Sequence, residues 1–143
     1  MLTTILAALL AATGSGHGDA GIYGIWANPA GSVIVRTARC GAAVCGRVVW
    51  ASPKAREDAA RKGGVRQLLG LELLRDYRPV GPHQWEGRAF VPDLGDEFDS
   101  EMVQTGPNQI EIEGCRFGGL VCKKQVWHRA AAPAAPRGRQ RRG

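Results

Sequence analysis

Residues 109–128 read QIEIEGCRFGGLVCKKQVWH, two alternating runs joined by a glycine-rich turn with a cysteine on each side of it. If Cys115 opposes Cys122, Glu113 faces Lys124 and Glu111 faces Val126 on one surface, while Ile110, Ile112, Val121 and Trp127 share the other. Opposite charges then meet outside and apolar groups collect inside, as the two-residue side-chain period of a strand requires. The stretch reads as an antiparallel hairpin with one wet face and one dry face.

The same alternation recurs upstream. Residues 84–104, QWEGRAFVPDLGDEFDSEMVQ, turn back at Pro92-Asp93-Leu94-Gly95. With Val91 opposite Asp96, Arg88 faces Asp99 outside, and Trp85, Ala89, Phe98 and Met102 point inward. Glu97, Asp99 and Glu101 are then a solvated strand face; a calcium loop would need a D-x-D-x-D-G spacing that is absent. Cys40 and Cys45 flank another turn, and opposing them sets Ala38 against Arg47 and Arg36 against Val49, with Val33, Val35, Val48 and Trp50 inward. Both bridges, Cys40 to Cys45 and Cys115 to Cys122, are expected as outer-face staples near hairpin tips. Each closes a short loop and contributes about 2 kcal/mol on chain-entropy grounds.

Extended along the chain, this reading gives eight strands, near Ile22 to Ala27, Ser32 to Arg39, Val44 to Trp50, Gln67 to Tyr77, Gln84 to Val91, Asp96 to Gln104, Gln109 to Cys115 and Leu120 to His128. The segments between them are rich in Gly, Pro, Asn and Asp, residues that permit turn dihedrals. QLLGLELL, within the fourth strand, fits a helix equally well. One helix interrupts the series: Ser52 caps, Pro53 takes the first position, Lys54 to Lys62 are mostly good helix formers, and Gly63-Gly64 end it. Its apolar residues are alanines, which places it on the surface or over a barrel mouth. Eight sequential antiparallel strands are best closed as an all-β up-and-down barrel, which leaves no exposed edge. A closed barrel of this size is either filled by side chains or holds one small ligand. The candidate ligand-binding lining is the inward set Trp50, Trp85, Phe98, Met102 and Trp127.

The ends of the chain differ from this middle. Leu2 to Ala12 is apolar but too short to span a bilayer, and Gly18-Asp19-Ala20 suits a signal-peptidase cut, so residues 1–20 are expected to be a signal peptide cleaved near Ala20. The protein is then periplasmic or secreted. Its formal charge of +6 lies mostly in the tail: residues 21–129 carry 15 Lys and Arg against 12 Asp and Glu, while Arg137, Arg139, Arg141 and Arg142 follow. Nucleic acid is therefore not an expected partner. Residues 130–143, built of Ala, Pro, Gly and Arg, are expected to be a disordered tail, either solvated or touching an anionic envelope surface. No transmembrane segment is expected, and the domain is expected to be a monomer.

Catalysis and metal binding find little support in the residues. Spacings of C-x4-C and C-x6-C do not match the knuckles of structural zinc, and an exported chain meets an oxidising compartment, so neither a metal nor a cofactor is assigned. His83 sits in a Gly-Pro loop and His128 points outward on the last strand, neither beside a sequence-local nucleophile. No catalytic residue is assigned.

Taken in order after GIYGIW, the stretches CGAAVCGRVVW, LLGLELL, WEGRAFVPDLGDEFDSEM and IEIEGCRFGGLVCKKQVWHR resemble the bacterial exported proteins of domain-of-unknown-function family 2147. The resemblance covers Gly21 to Arg129 and implies a cell-envelope location and a lipocalin-like barrel, with no established activity. Lys54 to Gly64 departs from it: many relatives have an Asp and an Asn-Pro-Asp before an Arg there. Gly24-x-Trp26 on the first strand and Arg129 after the last also resemble lipocalins, in which a late Arg covers a Trp and seals one end by a cation-π contact. Two functions follow as expectations: a small non-enzymatic barrel binding an apolar or amphipathic ligand, or an envelope structural and interaction protein with a filled core.

Overall fold

Alternating strands must bury one face each, and here they do so by closing on one another. The computed structural model describes residues 21–133. Eight strands, β1 (Gly24–Ala27), β2 (Val33–Cys40), β3 (Ala43–Ala51), β4 (Glu72–Gly81), β5 (Gln84–Val91), β6 (Asp96–Gly106), β7 (Gln109–Arg116) and β8 (Val121–Arg129), run antiparallel in sequence order and close as β1 pairs with β8. One helix, α1 (Pro53–Gly63), lies between β3 and β4. The all-β, eight-stranded up-and-down barrel is as expected. The expected signal peptide and the arginines of the tail lie outside the described residues.

The local signals at α1 act as read. The Ser52 hydroxyl accepts from the Ala55 amide at 3.0 Å, Pro53 opens the helix, and Gly64 ends it at φ 69°, where a side chain would be strained. The β4 boundary is different: residues 67–71 form a turn rather than strand or helix, and β4 begins at Glu72.

Register follows the alternation in two hairpins and departs from it in a third. Across β7 and β8, Cys115 opposes Cys122, Glu113 opposes Lys124 and Ile110 opposes Trp127; across β5 and β6, Arg88 opposes Asp99 and Ala89 opposes Phe98. Across β2 and β3, Arg36 opposes Arg47, Ala38 opposes Cys45 and Cys40 opposes Ala43, because the hairpin closes on the tighter two-residue loop Gly41-Ala42. The expected pairings of Ala38 with Arg47 and Arg36 with Val49 are thus displaced by two residues, which preserves the faces. Both expected disulfides form, the first diagonal across its hairpin with Cα atoms 5.8 Å apart, the second directly opposed at 4.1 Å.

Further along the same pair, Val35 opposes Val48 but Ile34 opposes Trp50. Val49 is the extra residue of a β-bulge, and one extra residue reverses every face beyond it. Trp50, expected inside, is therefore turned outward and 39% exposed, while Ala51 takes the buried position.

Large side chains fill one end of the barrel. Ile22, Trp26, Val35, Tyr77, Trp85, Met102 and Ile110 are fully buried there. Residues 21–23 cross beneath them: Thr37 Oγ1 donates to the Ile22 carbonyl at 2.6 Å, Gln104 Nε2 to the Gly21 carbonyl at 2.9 Å, and Trp26 Nε1 to the Ile22 carbonyl at 3.0 Å. Arg129 completes the floor. Its guanidinium stands 4.1 Å from the Trp26 ring centroid and donates to the carbonyls of Gly21, Tyr23 and Pro107. Gly24 is required beneath it, since a Cβ there would lie 2.6 Å from Arg129 Nη1.

Trp26→Ala should destabilise the domain by about 3–5 kcal/mol in urea titration, as a fully buried large-to-small change. Non-reducing peptide mapping should recover Cys40 joined to Cys45 and Cys115 joined to Cys122; crossed pairs would contradict both registers.

Candidate ligand-binding cavity

The opposite end of the barrel is hollow. A cavity of about 760 Å³ extends upward from the packed end, well above the roughly 300 Å³ at which small-ligand sites begin. Side-chain size explains where it begins. Inward positions near the floor carry Trp85, Met102 and Ile110, whereas those above them on β5 and β7 carry Ala89 and Gly114. A Cβ at Gly114 would meet only the Phe98 Cβ, at 3.9 Å, so that position faces open space.

The walls come from every side of the open end. Leu73 and Leu74 of β4, Phe98 of β6, Ile112 of β7 and Trp127 of β8 supply the apolar surface. The mouth is ringed by the β1–β2 turn, the start of α1, the β5–β6 turn and the β7–β8 tip. It extends down one side because β1 is short. β8 meets β1 only where Arg129 opposes Trp26 and His128 opposes Ala27, so residues 121–127 pair with β7 alone.

Of the five predicted lining residues, Phe98 and Trp127 line the cavity. Trp85 and Met102 belong to the packed floor, and Trp50 is outside the barrel. The wall residues outside that set are partly short or aliphatic, such as Leu68, Leu73, Leu74, Ala89 and Ile112, and partly polar at the rim. Alternation placed Ile112 and Ala89 inward without marking them as lining, whereas Leu68 and the α1 residues carry no such signal.

α1 lies over part of the mouth, contributing Lys54, Ala55 and Asp58 to the lining, with Ala59 fully buried beneath it. Lys54 Nζ donates to Asp58 Oδ2 at 3.0 Å, and this bond holds the Asp58 carboxyl below the usual carboxylate range, aided by Lys62 and Arg61 and opposed by desolvation. The helix is fastened by a close backbone approach: a Cβ at Gly63 would fall 1.6 Å from the Pro92 carbonyl oxygen, and one at Gly95 would lie 2.2 Å from the Gly63 oxygen. Two glycines thus tie the helix to the β5–β6 turn.

Among the described residues Trp85 Nε1 and Gln104 Oε1 are buried without a hydrogen-bond partner, while the hydroxyls inside the barrel are paired. Tyr77 Oη donates to Ser100 Oγ at 2.8 Å, which donates to the Glu113 carbonyl at 2.7 Å. Burial pushes the Tyr77 phenol well above its ordinary range, against the Ser100 bond, so it stays protonated. On the outer wall, Glu97 accepts from Arg88 at 2.8 Å and Arg75 at 2.9 Å, and both bonds hold its carboxyl below the usual range. His83, at φ 56° in the β4–β5 turn, and His128 are exposed and apart from the cavity. The cysteines are bonded to each other, so no thiolate is available as a metal ligand.

Gly63→Ala should unseat α1 from the β5–β6 turn. Amide exchange in residues 53–63 should then accelerate while protection in the strands is retained.

Comparison with known proteins agrees with this architecture. No curated protein matches the chain. Among solved structures, a Helicobacter pylori protein described as belonging to the lipocalin family superposes with a TM-score of 0.53 at 17% identity, over 69% of this chain and 73% of its own. That likeness is one of fold. A family described as "Uncharacterized protein conserved in bacteria" (DUF2147) matches residues 24–129. The match takes in both cysteine pairs, Trp26, Arg129 and the whole of the cavity wall, and the chain belongs to that bacterial family.

Proposed function

We propose that the protein is a non-enzymatic barrel of the cell envelope that holds a small apolar or amphipathic ligand in its upper half. The observation that carries this reading is the cavity of about 760 Å³ above a floor sealed by Trp26 and Arg129. Apolar walls supply affinity, since burial of a ligand's hydrocarbon surface contributes roughly 25 cal/mol per Å² before the costs of ordering it. The floor limits depth, so a ligand enters and leaves at the end covered by α1. Lys54, Asp58, Arg116, Lys123 and Gln125 line the upper part, which suits a ligand with one polar end held near solvent. Both disulfides accord with an oxidising compartment.

The test is displacement of an environment-sensitive apolar dye. The unmodified domain should bind it with a fluorescence increase, and Gly114→Trp, which fills the cavity from a position without backbone strain, should weaken binding about tenfold or more while leaving the melting temperature nearly unchanged. Trp50→Ala, outside the barrel, should leave dye binding intact. Equal binding by the Gly114→Trp protein would refute the cavity as the site.

A further inference from the structure

One part of the rim is built unlike the rest of the surface. At the β7–β8 tip Phe117 is 74% exposed, Leu120 86% and Val121 57%, and Leu94 of the neighbouring β5–β6 turn is 57% exposed. The two tips are neighbours, as Arg116 Nη2 lies 4.0 Å from Asp96 Oδ2. Exposed large apolar side chains are ordinary when scattered. Here three fall within five consecutive residues of one hairpin.

Their own hairpin is basic, although the neighbouring β6 brings Asp96, Glu97 and Asp99 into one surface hollow with Arg116 and Phe117. From Gly114 to Lys124 the sequence holds Arg116, Lys123 and Lys124 and no acid. Arg116 packs its guanidinium 4.2 Å from the Phe98 ring centroid at the cavity mouth, and Lys124 reaches Glu111 at 3.6 Å on the outer face. The tip is also held in shape. Cys115–Cys122 ties its neck, and Phe117 sits at φ 54° ahead of Gly118 and Gly119 at φ 65° and 92°. A bulky aromatic residue in the left-handed region is disfavoured; here it belongs to a turn that leaves the ring in solvent.

We propose that the β7–β8 tip is a membrane-docking element, placing Phe117, Leu120 and Val121 in the interfacial region of an anionic bilayer with Arg116 and Lys123 against lipid phosphates. Apolar side chains inserted to the level of the acyl chains, with cations above them among the headgroups, are what such a surface accommodates. The cavity shares this rim, because Arg116 and Val121 line it as well. Docking therefore brings the mouth to the lipid. It does not depend on the cavity being occupied.

The test is co-sedimentation of the full chain, including its C-terminal arginines, with phosphatidylethanolamine–phosphatidylglycerol vesicles and with phosphatidylcholine vesicles. Binding is expected to the anionic vesicles only. The double variant Phe117→Ser/Leu120→Ser should bind them about tenfold or more weakly, and Lys123→Gln should lose about fivefold. The double variant should keep its melting temperature and its dye binding, which separates this result from the fate of the cavity reading. In Phe117→Trp, the new indole should be quenched by brominated anionic lipid. Undiminished vesicle binding by the double variant would assign it to the C-terminal arginines and overturn the proposal. So would an unquenched indole, or a dimer abolished by the double variant in a protein that ignores vesicles, which would make a second copy the occupant of the tip.

Discussion

Closure of the barrel rests on Arg129. The seam between first and last strands is short, with Trp26 opposite Arg129 and Ala27 opposite His128, and backbone pairing this brief is weak support for a closed sheet. The guanidinium supplies the rest. It stacks on Trp26 and donates to carbonyls of the crossing N-terminal segment and of the β6–β7 turn. Burial lowers its pKa from the usual arginine value, yet it remains a cation under ordinary conditions. A planar group with donors in a fixed fork can meet an aromatic face and several carbonyls together; a lysine ammonium lacks that geometry. Gly24 belongs to the same device, since its missing side chain leaves room for the guanidinium.

The short seam accounts for the asymmetry of the molecule. Where β1 and β8 meet, the interior is packed with aromatic and aliphatic side chains. Above that level β8 continues with only β7 beside it, inward positions on β5 and β7 are small, and space opens. The free stretch carries Lys123 and Lys124, and lysines on an unpaired strand discourage edge-to-edge association. Solid floor and hollow top are thus two consequences of one distribution of side-chain volume. The cover is an add-on: α1 is mostly polar and depends for its placement on the Ser52 cap and on the backbone contact at Gly63 and Gly95.

The sequence by itself determined the strands apart from the start of β4, the β5–β6 and β7–β8 registers and the disulfides, because alternation with period two fixes which residues share a face, and the turn in one hairpin and the cysteine pair in the other fix which residues stand opposite. It also marked Gly24, Trp26 and Arg129, through their resemblance to the residues that close a lipocalin barrel. Tertiary structure decided three things. The Val49 bulge reversed the facing of Trp50, and a bulge is set by how β2 and β3 twist into the barrel rather than by any residue signal. The extent of the cavity depended on which inward residues lie at the same height, a consequence of stagger between strands that alternation does not specify; hence Trp85 and Met102 fill the floor while Phe98 and Trp127 face open space. Finally, α1 became part of the cavity's cover because Gly63 and Gly95, thirty-two positions apart in the chain, can approach until their backbones touch. The lack of a side chain permits such contact, but only the closed barrel brings the two together.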